Sequence, residues 1–124
     1  MSKPEHFEIA DDHAVFRPTG QVSLQQAVQL VTSAITFARE QRVRKLMAVT
    51  TGLSGFKPPD LATRYIFIRA WARAAGGDVC IAVVARPEMI DPQRFGVTVA
   101  ANSGLVGDVF ESEEEALVWL RSLK

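Results

Sequence analysis

The chain has a single cysteine in 124 residues, so it can form no internal disulfide and must hold its fold by packing. It has two histidines and neither a Cys-x-x-Cys nor a His-Glu-x-x-His spacing, which leaves no metal-ligand motif and no cofactor to expect. Charge of one sign is also missing. Fourteen basic residues are matched by fourteen acidic ones, which argues against a nucleic-acid partner, since such modules need a basic excess to neutralise phosphates. No apolar run approaches membrane-spanning length, so no membrane insertion is expected. The start carries no basic stretch leading into an apolar one, and with so little cysteine a reducing, cytoplasmic setting is expected.

What is present is a globular composition, 48% hydrophobic and 23% charged, in a length suited to a single domain spanning 1–124. Folding at this size hides roughly two-thirds of the surface, enough for a core without covalent staples. Phe7 and Ile9 alternate with polar neighbours, Asp11-Asp12 supplies a turn, and Ala14-Val15-Phe16 follows: an antiparallel hairpin, ended by Pro18 and Gly20. Ser23 caps a helix from Leu24 to about Arg42, with Leu24, Ala27, Val28, Val31, Ala34, Ile35 and Ala38 on its apolar face. Lys45 to Thr51 holds the continuous apolar run Leu46-Met47-Ala48-Val49 of a strand covered on both sides. Gly52 to Pro59, with two glycines and two prolines, reads as neither helix nor ladder, and Asp60 caps a helix from Leu61 to Ala75 stopped by Gly76-Gly77.

Asp78 to Ala85 forms another apolar strand. Asp91-Pro92 reads as a cap and first helical residue of a short helix to about Asn102. Val109-Phe110 is a brief edge strand, and Ser112 with Glu115 is a capping box for a last helix through Leu123. The order is β-β-α-β-α-β-α-β-α. The class is therefore α/β, a mixed, mostly parallel sheet with an N-terminal antiparallel hairpin and helices packed on it.

Two regions carry chemistry. The loop from Thr50 to Asp60 places glycines and hydroxyls at the end of a parallel strand beside a helix start, where open α/β sheets bind ligands; a plain turn with local hydrogen bonds is the alternative. Gly52 to Lys57 is not a P-loop, because Pro58 stands where the Ser/Thr would be. On the helix after it, Leu61, Tyr65, Ile68, Ala72 and Ala75 share one face, Phe67 and Trp71 widen it, and Ile66 falls among Arg69 and Arg73. That arc reads as a surface for a protein partner or a second copy, or as apolar groups packed under loops. Asp60 and Arg64, one turn apart, are expected to pair. No catalytic constellation is visible: His6 and His13 flank the hairpin, and Cys80 reads as a buried small hydrophobe. Glu111, Glu113, Glu114 and Glu115 suit the positive end of a helix rather than a chelator.

The element order, with Val49-Thr50-Thr51-Gly52-Leu53-Ser54-Gly55-Phe56 and the ending from Asp108 to Leu120, resembles the STAS superfamily and its SpoIIAA-like branch of small stand-alone domains. That resemblance implies a non-enzymatic signalling or adaptor domain that docks on a protein and is switched by phosphorylation. Where that family carries the modified hydroxyl, at the helix start, this chain reads Lys57-Pro58-Pro59-Asp60-Leu61 and offers a carboxylate. The nearest hydroxyls are those of Thr50, Thr51 and Ser54. The expected partner or ligand surface is Phe56, Asp60, Arg64, Tyr65, Ile66, Phe67, Arg69, Trp71 and Arg73. The branch is also linked by fold to lipid-carrying modules, which implies as an alternative a carrier or sensor of a small apolar ligand, in a cavity under Phe56, Tyr65, Phe67 and Trp71. Self-association as a homodimer would bury the same apolar arc.

Overall fold

A computed structural model describes residues 3–123. Strand β1 (Phe7–Ile9) turns back antiparallel on β2 (Ala14–Phe16). A two-residue strand, β3 (Gly20–Gln21), leads to helix α1 (Leu24–Glu40), whose Ser23 and Gln26 form a reciprocal capping box. Then follow β4 (Lys45–Val49), β5 (Leu53–Ser54), α2 (Leu61–Ala75) and β6 (Cys80–Val84). A single 3₁₀ turn (Pro87–Met89) precedes α3 (Phe95–Asn102), and β7 (Gly107–Phe110) and α4 (Glu113–Ser122) complete the order.

The main sheet runs β1-β2-β4-β6-β7, antiparallel at the hairpin and parallel thereafter. Alternation along its strands divides the core. Leu46, Ala48 and Ile81 face a layer built from α1, α2 and α3, where Val31, Ile35, Ile68, Trp71 and Val99 pack. Met47, Val49, Ala82 and Val84 face the other way, onto Ala116 and Leu120 of α4. A strand covered on both faces needs an unbroken apolar run, which is why β4 and β6 read as they do.

Three features depart from the sequence expectation. The loop after β4 does form a ladder: Leu53–Ser54 pairs parallel with Gly20–Gln21 as a separate two-stranded sheet. Leu53 is wholly buried, and its burial carries the loop into that register, where Val22 N–H donates to Ser54 O at 2.8 Å. Asp91-Pro92 does not start α3. Arg94 adopts a left-handed conformation (φ 55°), its N–H closing a turn on Asp91 O at 2.9 Å, and the helix begins after it. Finally, α2 is rotated about its axis relative to the expected face. The stripe turned inward is Arg64, Ile68, Trp71 and Ala75, whereas Leu61 and Tyr65 are 55% and 44% exposed. Trp71 sets that rotation: its ring packs 4.8 Å from Phe67, and its indole N–H donates to Val28 O on α1 at 3.3 Å.

Candidate functional site

Inside the three-helix layer, at the C-terminal ends of the parallel strands, lies a cavity of about 150 Å³. Its floor is Ile81 and Val83 of β6, and Ala85 closes it where that strand ends. Helix α1 contributes Ala27, Val28 and Val31; α2 contributes Arg64, Phe67, Ile68 and Trp71; α3 contributes Gly96, Val97 and Ala100. The loop after β4 supplies Thr50, Leu53, Phe56 and Pro59 at the rim. The lining follows from the fold: residues that would meet across a simple two-layer contact are held apart where three helices converge over one sheet end. Gly96 lets α3 come close to α2, since a Cβ there would stand 2.9 Å from Ile68 Cδ1.

Polar groups on this wall are few. The Thr50 hydroxyl donates to Val84 O at 2.9 Å. Arg94 is paired with Asp108, and Arg86 stands 3.6 Å from Glu88. Arg64 does not pair with Asp60 as expected. Asp60 caps α2, its Oδ1 accepting from Thr63 N–H at 2.8 Å, and that backbone bond holds its carboxyl below the ordinary carboxylate range. The Arg64 guanidinium instead reaches the carbonyls of Met89 and Pro59, each at 3.4 Å, while its Nε is buried with no hydrogen-bond partner. No polar or charged side chain among the described residues is fully buried; Arg64 is half-buried on a wall that Asp91, Arg94 and Asp108 also line.

The sequence-predicted site residues thus separate into two groups. Phe56, Arg64, Phe67 and Trp71 line the cavity; Tyr65, expected there, does not. Tyr65 lies outside, accepting from Arg69 Nη1 at 2.8 Å, with that guanidinium 5.6 Å from its ring centroid. Ile66 and Arg73 are likewise on the outer surface, as are the Thr51 and Ser54 hydroxyls. Sequence reading missed Val97, Ala100 and Met89, which arrive from elements remote in the chain. The one available signal for Arg64 was its place in the 64, 68, 71, 75 helical stripe.

Elsewhere the titratable residues form smaller pairs. His13 Nδ1 lies 2.7 Å from Asp12 Oδ1, and Arg121 Nε donates to Asp12 at 3.0 Å, so the Asp12 carboxyl is drawn down to about 2. Cys80, expected to be buried, is half-buried at the start of β6 because β6 begins at the sheet rim. Among the described residues no cluster of three or more His, Cys, Asp or Glu is arranged to hold a metal ion, and no helix is long and apolar enough to cross a membrane.

No protein-family profile and no curated protein matches the chain. Among solved structures it is similar to the anti-sigma factor antagonist SpoIIAA in its unphosphorylated form, at 20% identity over 95% of this chain and 96% of that one, with a TM-score of 0.48.

Proposed function

We propose that this domain binds a small, mainly apolar molecule in the cavity between α1, α2, α3 and the ends of β4 and β6, as a carrier or sensor without catalysis. The observation that carries this reading is the cavity itself, about 150 Å³ and walled by aliphatic and aromatic side chains at the sheet end where α/β folds take ligands. Size narrows the ligand. A volume of about 150 Å³ matches a molecule such as benzene, so the part of a ligand held between the helices is of that size. Titration with toluene, followed by amide and indole shifts in two-dimensional NMR, tests the reading. Saturable shifts confined to Trp71, Val28 and Ala100 support it; a protein that shows none at toluene saturation refutes it.

A second reading, docking of a protein partner, is favoured by the outer face of α2, where Leu61, Tyr65 and Ile66 are exposed beside Arg69 and Arg73. Its narrower form is a switch by phosphorylation of Thr51 or Ser54, whose hydroxyls are at the surface just before α2, whereas that of Thr50 is already donated to Val84 O. Intact mass of protein from its native host decides the narrower form: a phosphatase-sensitive phosphate mapped to Thr51 or Ser54 supports it, and unmodified protein under all growth conditions rejects it. Sedimentation velocity checks whether a second copy covers the same face instead.

A further inference from the structure

We infer that a second copy of this chain occupies the outer face of α2, laying the outer stripe of its own α4 there, so that copies join head to tail; this rests on the docking reading of that face. The helical layer is poor in negative charge. Helices α2 and α3 carry no carboxylate side chain, and α1 carries one only at its last residue, Glu40. Between α2 and α3 runs an open groove whose charged lining residues, Arg69 and Arg73, are both cations. Arg69 donates to the neutral Tyr65 hydroxyl, and the Arg73 guanidinium has no hydrogen bond or ion pair among the described residues. Ile66, 67% exposed, shares the outer stripe of α2 with these two arginines.

The opposite side of the sheet presents the complement. Helix α4 opens with Glu113, Glu114 and Glu115. Glu113 is held by Arg17, but the Glu111 carboxylate has no partner among the described residues, and Glu115 uses only Oε1, which accepts from the Ser112 hydroxyl. Val118, 71% exposed, lies one turn beyond Glu115. With the helices antiparallel the two stripes correspond, because Val118, Glu115 and Glu111 follow the same spacing as Ile66, Arg69 and Arg73 read in the other direction. Glu115 then meets Arg69, and Glu111, just ahead of the cap, comes level with Arg73. Val118 meets Ile66, and these are the two most exposed large apolar side chains among the described residues. Arg121 is tied to Asp12 and would lie level with Ala62 and Thr63, so no like charges are brought together. An antiparallel pair also sets opposite ends of the two helix dipoles side by side. Because α2 and α4 cover opposite faces of the sheet, one contact leaves a free face on each copy, and the assembly is open-ended.

Sedimentation velocity of the full chain over about a hundredfold range of concentration, at low and at high salt, measures the contact. The average mass should rise past that of a dimer as concentration increases, and salt should lower it. Arg69→Glu with Arg73→Glu, and separately Glu111→Lys with Glu115→Lys, should each weaken association at least about tenfold, since like charges then face each other. An equal mixture of these two variants should regain it, because each reversed face finds a reversed partner. Ile66→Lys and Val118→Lys, which touch neither helix cap, should also separate the copies, and they decide each side if a paired variant does not fold. An unaltered chain that stays monomeric throughout overturns the second copy as occupant and leaves the α2 face to a foreign protein. Association that the α2 substitutions abolish but the α4 substitutions leave intact overturns the head-to-tail contact and keeps α2 as a docking face. Association that neither set weakens overturns both readings.

Discussion

Filling the cavity should stabilise the fold and abolish its ligand binding together, and Ala100→Leu is the substitution that separates these effects from ordinary core disruption. Ala100 is 5% exposed, on α3, with its side chain on the cavity wall. Exchanging its methyl for an isobutyl adds about three methylene equivalents, worth at most about 2.4 kcal/mol at roughly 0.8 kcal/mol each. Ordering a leucine side chain removes about 0.5–1 kcal/mol of that. The expected net gain is about 1.5 kcal/mol, or a rise in Tm of about 5 °C for a chain of this size. The added group takes roughly half the room that about six carbons would need, so toluene affinity should be lost. Thermal denaturation and toluene titration of the same variant provide the measurement. The opposite result, a loss of about 1–3 kcal/mol as in overpacked cores, would mean that protein atoms already fill the space and would refute the reasoning.

Three further outcomes are expected. Gly55→Ala should cost more than about 1 kcal/mol in urea denaturation, because Gly55 has φ 100° and a Cβ there would stand 2.8 Å from Val22 O and from Gln21 Cγ. Asp12 is drawn from its ordinary 3.8 to about 2 by its hydrogen bonds with His13 and Arg121, so its contribution to stability is present above about pH 4 and lost as pH falls towards 2. Melts of Asp12→Asn should therefore differ from those of the unaltered chain at pH 7 and converge with them near pH 2; a constant gap would refute the linkage. The Arg17–Glu113 pair, 2.7 Å long but with both side chains more than 40% exposed, should show a coupling of no more than about 0.5 kcal/mol in a double-mutant cycle, and less at high salt.

Where the sequence reading succeeded, the signal was local. Ser23 with Gln26 and Asp60 with Thr63 form the helix caps expected of Ser and Asp before apolar-periodic runs, and Gly76 closes α2 in the left-handed conformation that glycine favours. Ser112 likewise caps α4, although Glu115 accepts from the Ser112 hydroxyl instead of reaching back to its backbone. Where it failed, a non-local contact won. The pairing of Leu53–Ser54 with Gly20–Gln21 joins segments more than thirty residues apart, and two-residue strands have no periodicity to detect. The turn of α2 came from Trp71 finding Val28 O, a partner on another helix. Only part of the candidate site was visible locally: Phe56, Arg64, Phe67 and Trp71 lie in one stretch, whereas Val97 and Ala100 join them only through packing of α3.

Apart from β3 and β5, the order of elements, the parallel character of the later strands and the two-sided burial of β4 and β6 were determined by the sequence itself, because capping, helical periodicity and unbroken apolar runs act over a few residues. The cavity was decided by tertiary structure alone. Its volume is what remains when α1, α2 and α3 converge over the ends of β4 and β6, a difference between packed shapes that no residue expresses singly. The surroundings of Arg64 were decided there too: one turn after Asp60 it reads as half of a local ion pair, but Asp60 accepts from Thr63 N–H and the guanidinium reaches the Met89 and Pro59 carbonyls instead.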